Sequence, residues 1–122
     1  MTNDVFEAAG VKPSITIADL NKVDIRVGTI MAVEDVSGSD KLLRLIVDFG
    51  DHRRNILTGM KQERGDPKSI EGLQTLFVVN LEPKKIMSEL SEGMLLDVGY
   101  ADSLKPVLAV PESIVPNGMR AG

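Results

Sequence analysis

An all-β fold, closed into a five-stranded barrel with one short helical segment and extensions at both ends, is predicted by three features of this 122-residue chain. Short apolar runs recur with strand periodicity, turn residues separate them, and one brief helical segment interrupts them, before the fourth run. The strand–helix alternation of a βαβ architecture is absent.

The first strand spans residues 22–34. Val23, Ile25, Val27, Met31 and Val33 share one face, and Asp24, Arg26 and Glu34 the other. Gly28 interrupts the pattern; a glycine inside a strand marks a bulge or bend, and a long bent strand can serve both halves of a small barrel. Ser37-Gly38-Ser39-Asp40 is turn chemistry leading to a second strand at 42–49, with Leu43, Leu45, Val47 and Phe49 inward and Arg44 and Asp48 outward. These two strands pair antiparallel. Gly50 and Asp51 make the next turn, and a third, shorter strand covers 53–58 before Gly59. Residues 61–72 are polar, and Pro67 opens about one helical turn. The valine-rich run 73–79 predicts a strand covered on both faces. A polar loop at 80–92, a fifth strand at 93–99, a short sixth at 107–110 and the turn-rich tail Pro116-Asn117-Gly118 complete the chain. At the other end, Val5 to Ala9 can form a turn of helix ended by Gly10, while Ile15 and Ile17 can pack on the barrel or on a second subunit. Five main strands favour a barrel of the oligonucleotide/oligosaccharide-binding (OB) type, with residues 1–14 as an arm and 15–122 as one domain.

Composition narrows the function classes. Hydrophobic residues at 43% and charged residues at 26% are those of a globular protein rather than a disordered or fibrous one. No run approaches the ~18 consecutive apolar residues of a membrane span, and the first ten residues lack a basic, apolar leader, so no membrane partner and a cytoplasmic location are expected. Without cysteine there are no disulfides or thiolate metal sites, and the single histidine, His52, lies in the charged stretch 51–54. Cys-His catalysis is thereby excluded, and no Gly-x-Ser-x-Gly elbow or Gly-rich phosphate loop is present. The adjacent acids Glu34 and Asp35 read as solvated. No catalytic residue, metal ligand or cofactor is assigned, and an enzyme is not expected.

The net charge of −4 argues against a polyanionic partner, but the distribution qualifies it. Residues 41–85 hold nine bases against six acids, net +3, and the flanks carry the negative charge. Within and beside this region two stretches stand out. One is KVDIRVG, residues 22–28, with Asp24 and Arg26 on its polar face; a surface ion pair is the plain reading. The other is NLEPKKIMSELSEGMLL, residues 80–96, joining two core strands where an OB barrel borders its binding face. Lys84 and Lys85 can neutralise phosphates, Asn80 and Ser91 can hydrogen-bond sugar, phosphate or a base edge, and Met94 can offer a soft apolar contact. An ordinary hairpin loop with Met94 in the core is the competing reading.

Together with GSDKLL (38–43), ILTG (56–59) and SEGMLL (91–96), these stretches resemble, in order and at compatible spacing, the tRNA-binding domain family. That family includes the C-terminal domain of bacterial methionyl-tRNA synthetases, free-standing tRNA-binding proteins, CsaA-type chaperones and the tail of a eukaryotic synthetase-associated cytokine. The resemblance implies an OB barrel that binds tRNA by shape and backbone, accessory to aminoacylation or tRNA handling. It also implies a homodimer built through the N-terminal segment up to Ile17 and residues 107–122. The family's RNA-facing residues map onto Asn80, Lys84, Ser91 and Met94, with Lys85 as a phosphate neighbour; Arg26, Lys41 and Arg44 are further basic candidates. Glycine often stands in the family where this chain has Ser88, and Glu82, Glu89 and Glu92 oppose counterion release, so the expected binding is weak and salt-sensitive. With 3% aromatics a stacking platform for single strands is scarce, which favours structured RNA. The alternative is a CsaA-like chaperone holding extended, unfolded polypeptide on the same face, favoured by the acidic balance and by Met60, Met87 and Met94. Docking onto an aminoacyl-tRNA synthetase is compatible with either.

Overall fold

The computed structural model describes residues 6–122. Along the chain lie helix α1 (Ile17–Leu20) and strands β1 (Ile25–Asp35), β2 (Leu43–Asp48), β3 (Arg53–Thr58), β4 (Gln74–Val78), β5 (Lys84–Ile86), β6 (Glu89–Ser91), β7 (Met94–Leu95), β8 (Asp97–Val98) and β9 (Val107–Leu108). A curled antiparallel sheet in the order β3–β2–β1–β4–β7 forms the barrel wall, and β5–β6 and β8–β9 are separate hairpin pairs.

The long first strand serves two neighbours, as its bent pattern predicted. Ile25 to Thr29 pair with β4, and Thr29 to Asp35 pair with β2. Where β2 diverges, the C-terminal tail takes over the exposed edge: Gly118 N–H donates to Val27 O at 2.7 Å, Val27 N–H to Met119 O at 2.9 Å and Ala121 N–H to Ile25 O at 2.9 Å. On the opposite edge, beyond Thr29, Gly72 N–H donates to Ile30 O at 2.7 Å. The Glu71 carboxylate accepts the Val33 N–H at 2.8 Å. The backbone of β1 is thus hydrogen-bonded along both edges, by four different segments.

Two details of β1 depart from the sequence reading. The register slips between Ile30 and Ala32, so the extra residue, Met31, is a bulge and stands 42% exposed instead of facing the core. A bulge inverts the alternation beyond it. Ile30 therefore joins Val33, Leu45, Val47, Ile56 and Phe77 in the core, each at most 1% exposed, while Val23 is left outside. Each such buried side chain contributes about 1.5–3 kcal/mol. Gly28 is not the bulge but a point of close approach. A Cβ there would stand 2.5 Å from Val47 Cγ1 and 2.9 Å from Phe49 Cε1.

Other expectations shift in bounds. The helical turn after Pro67 is a single 3₁₀ turn, Pro67–Ile70, whose Ile70 is fully buried against the core. The fifth strand expected at 93–99 splits into β7, which pairs with β4, and β8, which turns away to pair with β9. The helix expected from Val5 to Ala9 begins outside the described residues, and residues 6–10 carry no helix. A helical turn forms instead at α1. Thr16 caps it with a capping box, its Oγ1 accepting the Asp19 N–H at 3.0 Å and its own N–H donating to the Asp19 carboxylate at 3.3 Å. None of its residues is buried.

The barrel closes through side chains. Along the outer edge of β3, Glu92 N–H donates to Asn55 O at 2.9 Å, and Asn55 N–H returns to Glu92 Oε1 at 3.1 Å. Leu57 N–H donates to Ser91 Oγ at 3.0 Å, and that hydroxyl donates to Gly93 O at 3.2 Å. A continuous ladder would need a strand in register with β3; here a short hairpin crosses it, and two side chains fill the missing positions.

Candidate nucleic-acid interface

Residues 80–92, expected as a polar loop, fold into the β5–β6 hairpin. Lys84 pairs with Ser91, Lys85 with Leu90 and Ile86 with Glu89. Met87 and Ser88 form its tip with φ of 52° and 68°. Two successive left-handed residues match the right-handed twist of a two-residue hairpin, which glycine enters most easily.

Facing residues share a side of the hairpin. Lys84 lies on the side of Ser91, whereas Lys85 lies with Leu90. Both lysines are exposed, and neither makes an ion pair among the described residues. Met94 follows on β7 opposite Val78 and is 46% exposed, so it is an accessible apolar contact and not core. The β1–β2 loop lies beside the hairpin tip, where a Cβ at Gly38 would be 3.5 Å from Met87 Cε. That loop carries the exposed Lys41.

Other candidates are engaged within the protein. Asn80 Oδ1 accepts the Asp24 N–H at 2.9 Å and its Nδ2 donates to Lys22 O at 2.7 Å, tying the root of the loop to the start of β1. Ser91 is 6% exposed and closes the barrel. Arg44 Nε donates to Glu34 Oε1 at 2.9 Å and Nη1 to Glu89 Oε1 at 2.6 Å. The Glu89 and Glu34 carboxylates hold its guanidinium above the ordinary arginine pKa. Arg44 thus clamps β2 to β6. The same clamp occupies Glu89, and Glu92 is occupied by Asn55, so two of the three acids that weaken the loop are neutralised or turned to the barrel.

A feature that the sequence reading missed lies at the barrel mouth beside Asn80. Asp24, Arg26, Phe49, His52 and Arg54 line a cleft of about 460 Å³ that also reaches Val79 and Gly118. Arg26 forms a forked ion pair with Asp24, at 2.6 Å through Nε and 3.0 Å through Nη2, and its Nη1 donates to Gly118 O at 3.2 Å. Hydrogen bonding from Arg26 holds the Asp24 carboxyl below the usual carboxylate range. Arg54 Nη1 donates to Val79 O at 2.6 Å and to Glu92 O at 3.1 Å, joining both ends of the hairpin loop to the cleft. The pairing of Arg26 with Phe77 places it on the barrel's inner face. Strand alternation taken through the turn, Phe49, His52 and Arg54, carried no signal of this grouping.

Comparison with known proteins fits this geometry. The family described as "Putative tRNA binding domain" matches residues 25–120. Among solved structures, a MetRS-related protein from Pyrococcus horikoshii is 34% identical with a TM-score of 0.83, covering 91% of this chain and 100% of its own. The chaperone CsaA from Bacillus anthracis str. Ames is 26% identical with a TM-score of 0.74, covering 90% and 100%. The CsaA chaperone protein from Picrophilus torridus is 28% identical with a TM-score of 0.77, covering 89% and 100%.

Proposed function

Since the chain belongs to the tRNA-binding domain family, we propose that it binds structured tRNA by shape and backbone, without catalysing a reaction, as an accessory to aminoacylation or tRNA handling. The observation that carries this reading is the β5–β6 hairpin, which holds Lys84 and Lys85 in solvent without ion-pair partners among the described residues, with Met94 exposed on the strand that follows. Phosphate neutralisation needs cations not already spent on carboxylates. Lys41, on the neighbouring loop, extends that surface. Asn80, Ser91 and Arg44 serve by shaping the hairpin, since their polar atoms are taken up internally.

The functional unit in this reading is a homodimer. Ile15, Ile17 and Leu20 at and before α1 and Val110 and Ile114 of the tail are 52–86% exposed, and a second copy offers the same apolar segments in return. A dimer doubles the basic surface of an otherwise acidic protein.

Filter binding of total tRNA across a salt series tests the site. Replacing Lys84 and Lys85 with alanine is expected to weaken binding and flatten the salt dependence by roughly 1.5 in log–log slope. An unchanged affinity and slope removes these lysines from the interface. A second reading, the holding of extended polypeptide, is favoured by Met87, Leu90 and Met94, which expose about half of their surface on or beside the same hairpin. Suppression of aggregation of an unfolded protein, with no tRNA binding at low salt, would select it.

A further inference from the structure

The cleft at the barrel mouth is chemically unlike the hairpin. Its charged side chains are Arg26 and Arg54 against Asp24 and Asp51, so it carries no net charge when His52 is neutral. Arg26 is forked onto Asp24, and Arg54 onto backbone carbonyls and His52. Such a site is a poor phosphate trap, because its cations are already neutralised or committed. It suits a flat group with a polar edge.

His52 supplies the platform for one. Its Nδ1 lies 2.6 Å from Asp51 Oδ1, and its Nε2 accepts from Arg54 Nε at 3.0 Å. Both in-plane nitrogens are thus engaged within the protein. One face is stacked on Phe49, with centroids 5.6 Å apart and an interplanar angle of 24°. Phe49 is itself fixed edge-on against the fully buried Phe77 at 5.5 Å, and the Arg54 guanidinium stands 5.8 Å from its centroid. The side chain of His52 is nonetheless 45% exposed. With both nitrogens and one face occupied, what remains is the outer face of a rigidly held aromatic ring. The Asp24–Arg26 pair beside it presents an acceptor and a donor to the edge of whatever stacks there.

We propose that this cleft receives a single unstacked nucleobase, held between the outer face of His52 and the Asp24–Arg26 edge. Resting on the tRNA reading above, the base belongs to an unpaired nucleotide of the RNA whose backbone runs over the β5–β6 hairpin. Arg54 makes the two regions adjacent by bonding to both ends of the hairpin loop. At about 460 Å³ the cleft lies in the size range of small-ligand pockets. The shortage of exposed aromatic residues does not deny this RNA binder a stacking contact: an imidazole provides one.

The single histidine makes the test direct, because its ring proton resonances need no further assignment. The intact protein is titrated with AMP, GMP, CMP and UMP, and separately with ribose 5-phosphate, which has no base. At least one nucleotide is expected to move the His52 ring protons upfield saturably by ring current, with no upfield shift from ribose 5-phosphate. No shift with any nucleotide, or an equal shift with ribose 5-phosphate, overturns the proposal. In parallel, His52→Ala is expected to weaken tRNA binding by roughly 5- to 100-fold without changing its salt slope, and His52→Phe to restore it. If nucleotides bind while wild-type tRNA binding is unaffected by His52→Ala, the cleft takes free nucleotides and the RNA assignment of the base is overturned. If wild-type protein binds no tRNA even at low salt, the functional reading fails by itself, and the nucleotide titration still decides whether the cleft takes a base.

Discussion

The hydroxyl of Ser91 accepts the backbone N–H of Leu57 at 3.0 Å, in a place where a neighbouring strand would ordinarily supply a carbonyl. Both residues are buried, at 6% and 7% exposure. Ser91→Ala leaves that N–H without a partner and is expected to cost about 1–3 kcal/mol of folding stability. Urea denaturation measures it as a lower midpoint at constant slope. Full stability with reduced tRNA affinity would instead make Ser91 a direct RNA contact.

Gly28 is expected to be intolerant of any side chain. A methyl group there meets Val47 and Phe49, both packed in the core, well inside van der Waals contact. Gly28→Ala should destabilise the protein by about 1–3 kcal/mol through overpacking. Adding Val47→Ala makes room and should recover part of the loss expected from two independent changes, which a double-mutant cycle detects.

The Asp24–Arg26 pair gives stability a pH dependence of definite sign. Arg26 lowers the folded-state pKa of Asp24, so the contribution is complete above the unfolded carboxylate value of about 3.9 and is lost as pH falls through the folded value. The stability difference between wild type and Asp24→Asn should therefore be constant near neutrality and shrink in acid below about pH 4. A difference that grew in acid would mean that the carboxyl is not held by Arg26.

Helix α1 provides a test of assembly separate from folding. Ile17 and Leu20 are 73% and 52% exposed in the single chain, so Ile17→Asp with Leu20→Asp removes no intrachain core. The double variant is expected to keep its thermal midpoint when measured as a monomer and to shift from dimer to monomer in light scattering. An unchanged dimer places the interface elsewhere.

Much of the barrel was legible because period-two patterning and turn residues report local geometry directly. The second strand is the clearest case: Leu43, Leu45 and Val47 are buried as their alternation requires, while Arg44 and Asp48 are less so. The first strand was legible in extent and in its double service, but not in its faces. One extra residue at Met31 reverses the alternation, and a bulge leaves no mark in the apolar pattern distinct from an exposed methionine. Glycine 28 announced an irregularity without saying which kind. The hairpin at 84–91 was hidden because its tip uses Met87 and Ser88, where Asn-Gly or Asp-Gly would have signalled the turn.

For the proposed interface, the sequence alone singled out the segment 80–96 and the side chains in it with chemistry suited to RNA. Side-chain type and chain neighbourhood are local properties. Which of those groups remain available was decided by tertiary structure, because hydrogen-bond partners come from residues remote in sequence. Asn80 is taken by Lys22 and Asp24, Ser91 by Leu57, and Arg44 by Glu34 and Glu89, whereas Lys84, Lys85 and Met94 are left in solvent. The cleft is the extreme case. The β2–β3 turn sets the His52 ring on Phe49, but only the curl of the sheet brings Asp24 and Arg26 into the same cleft.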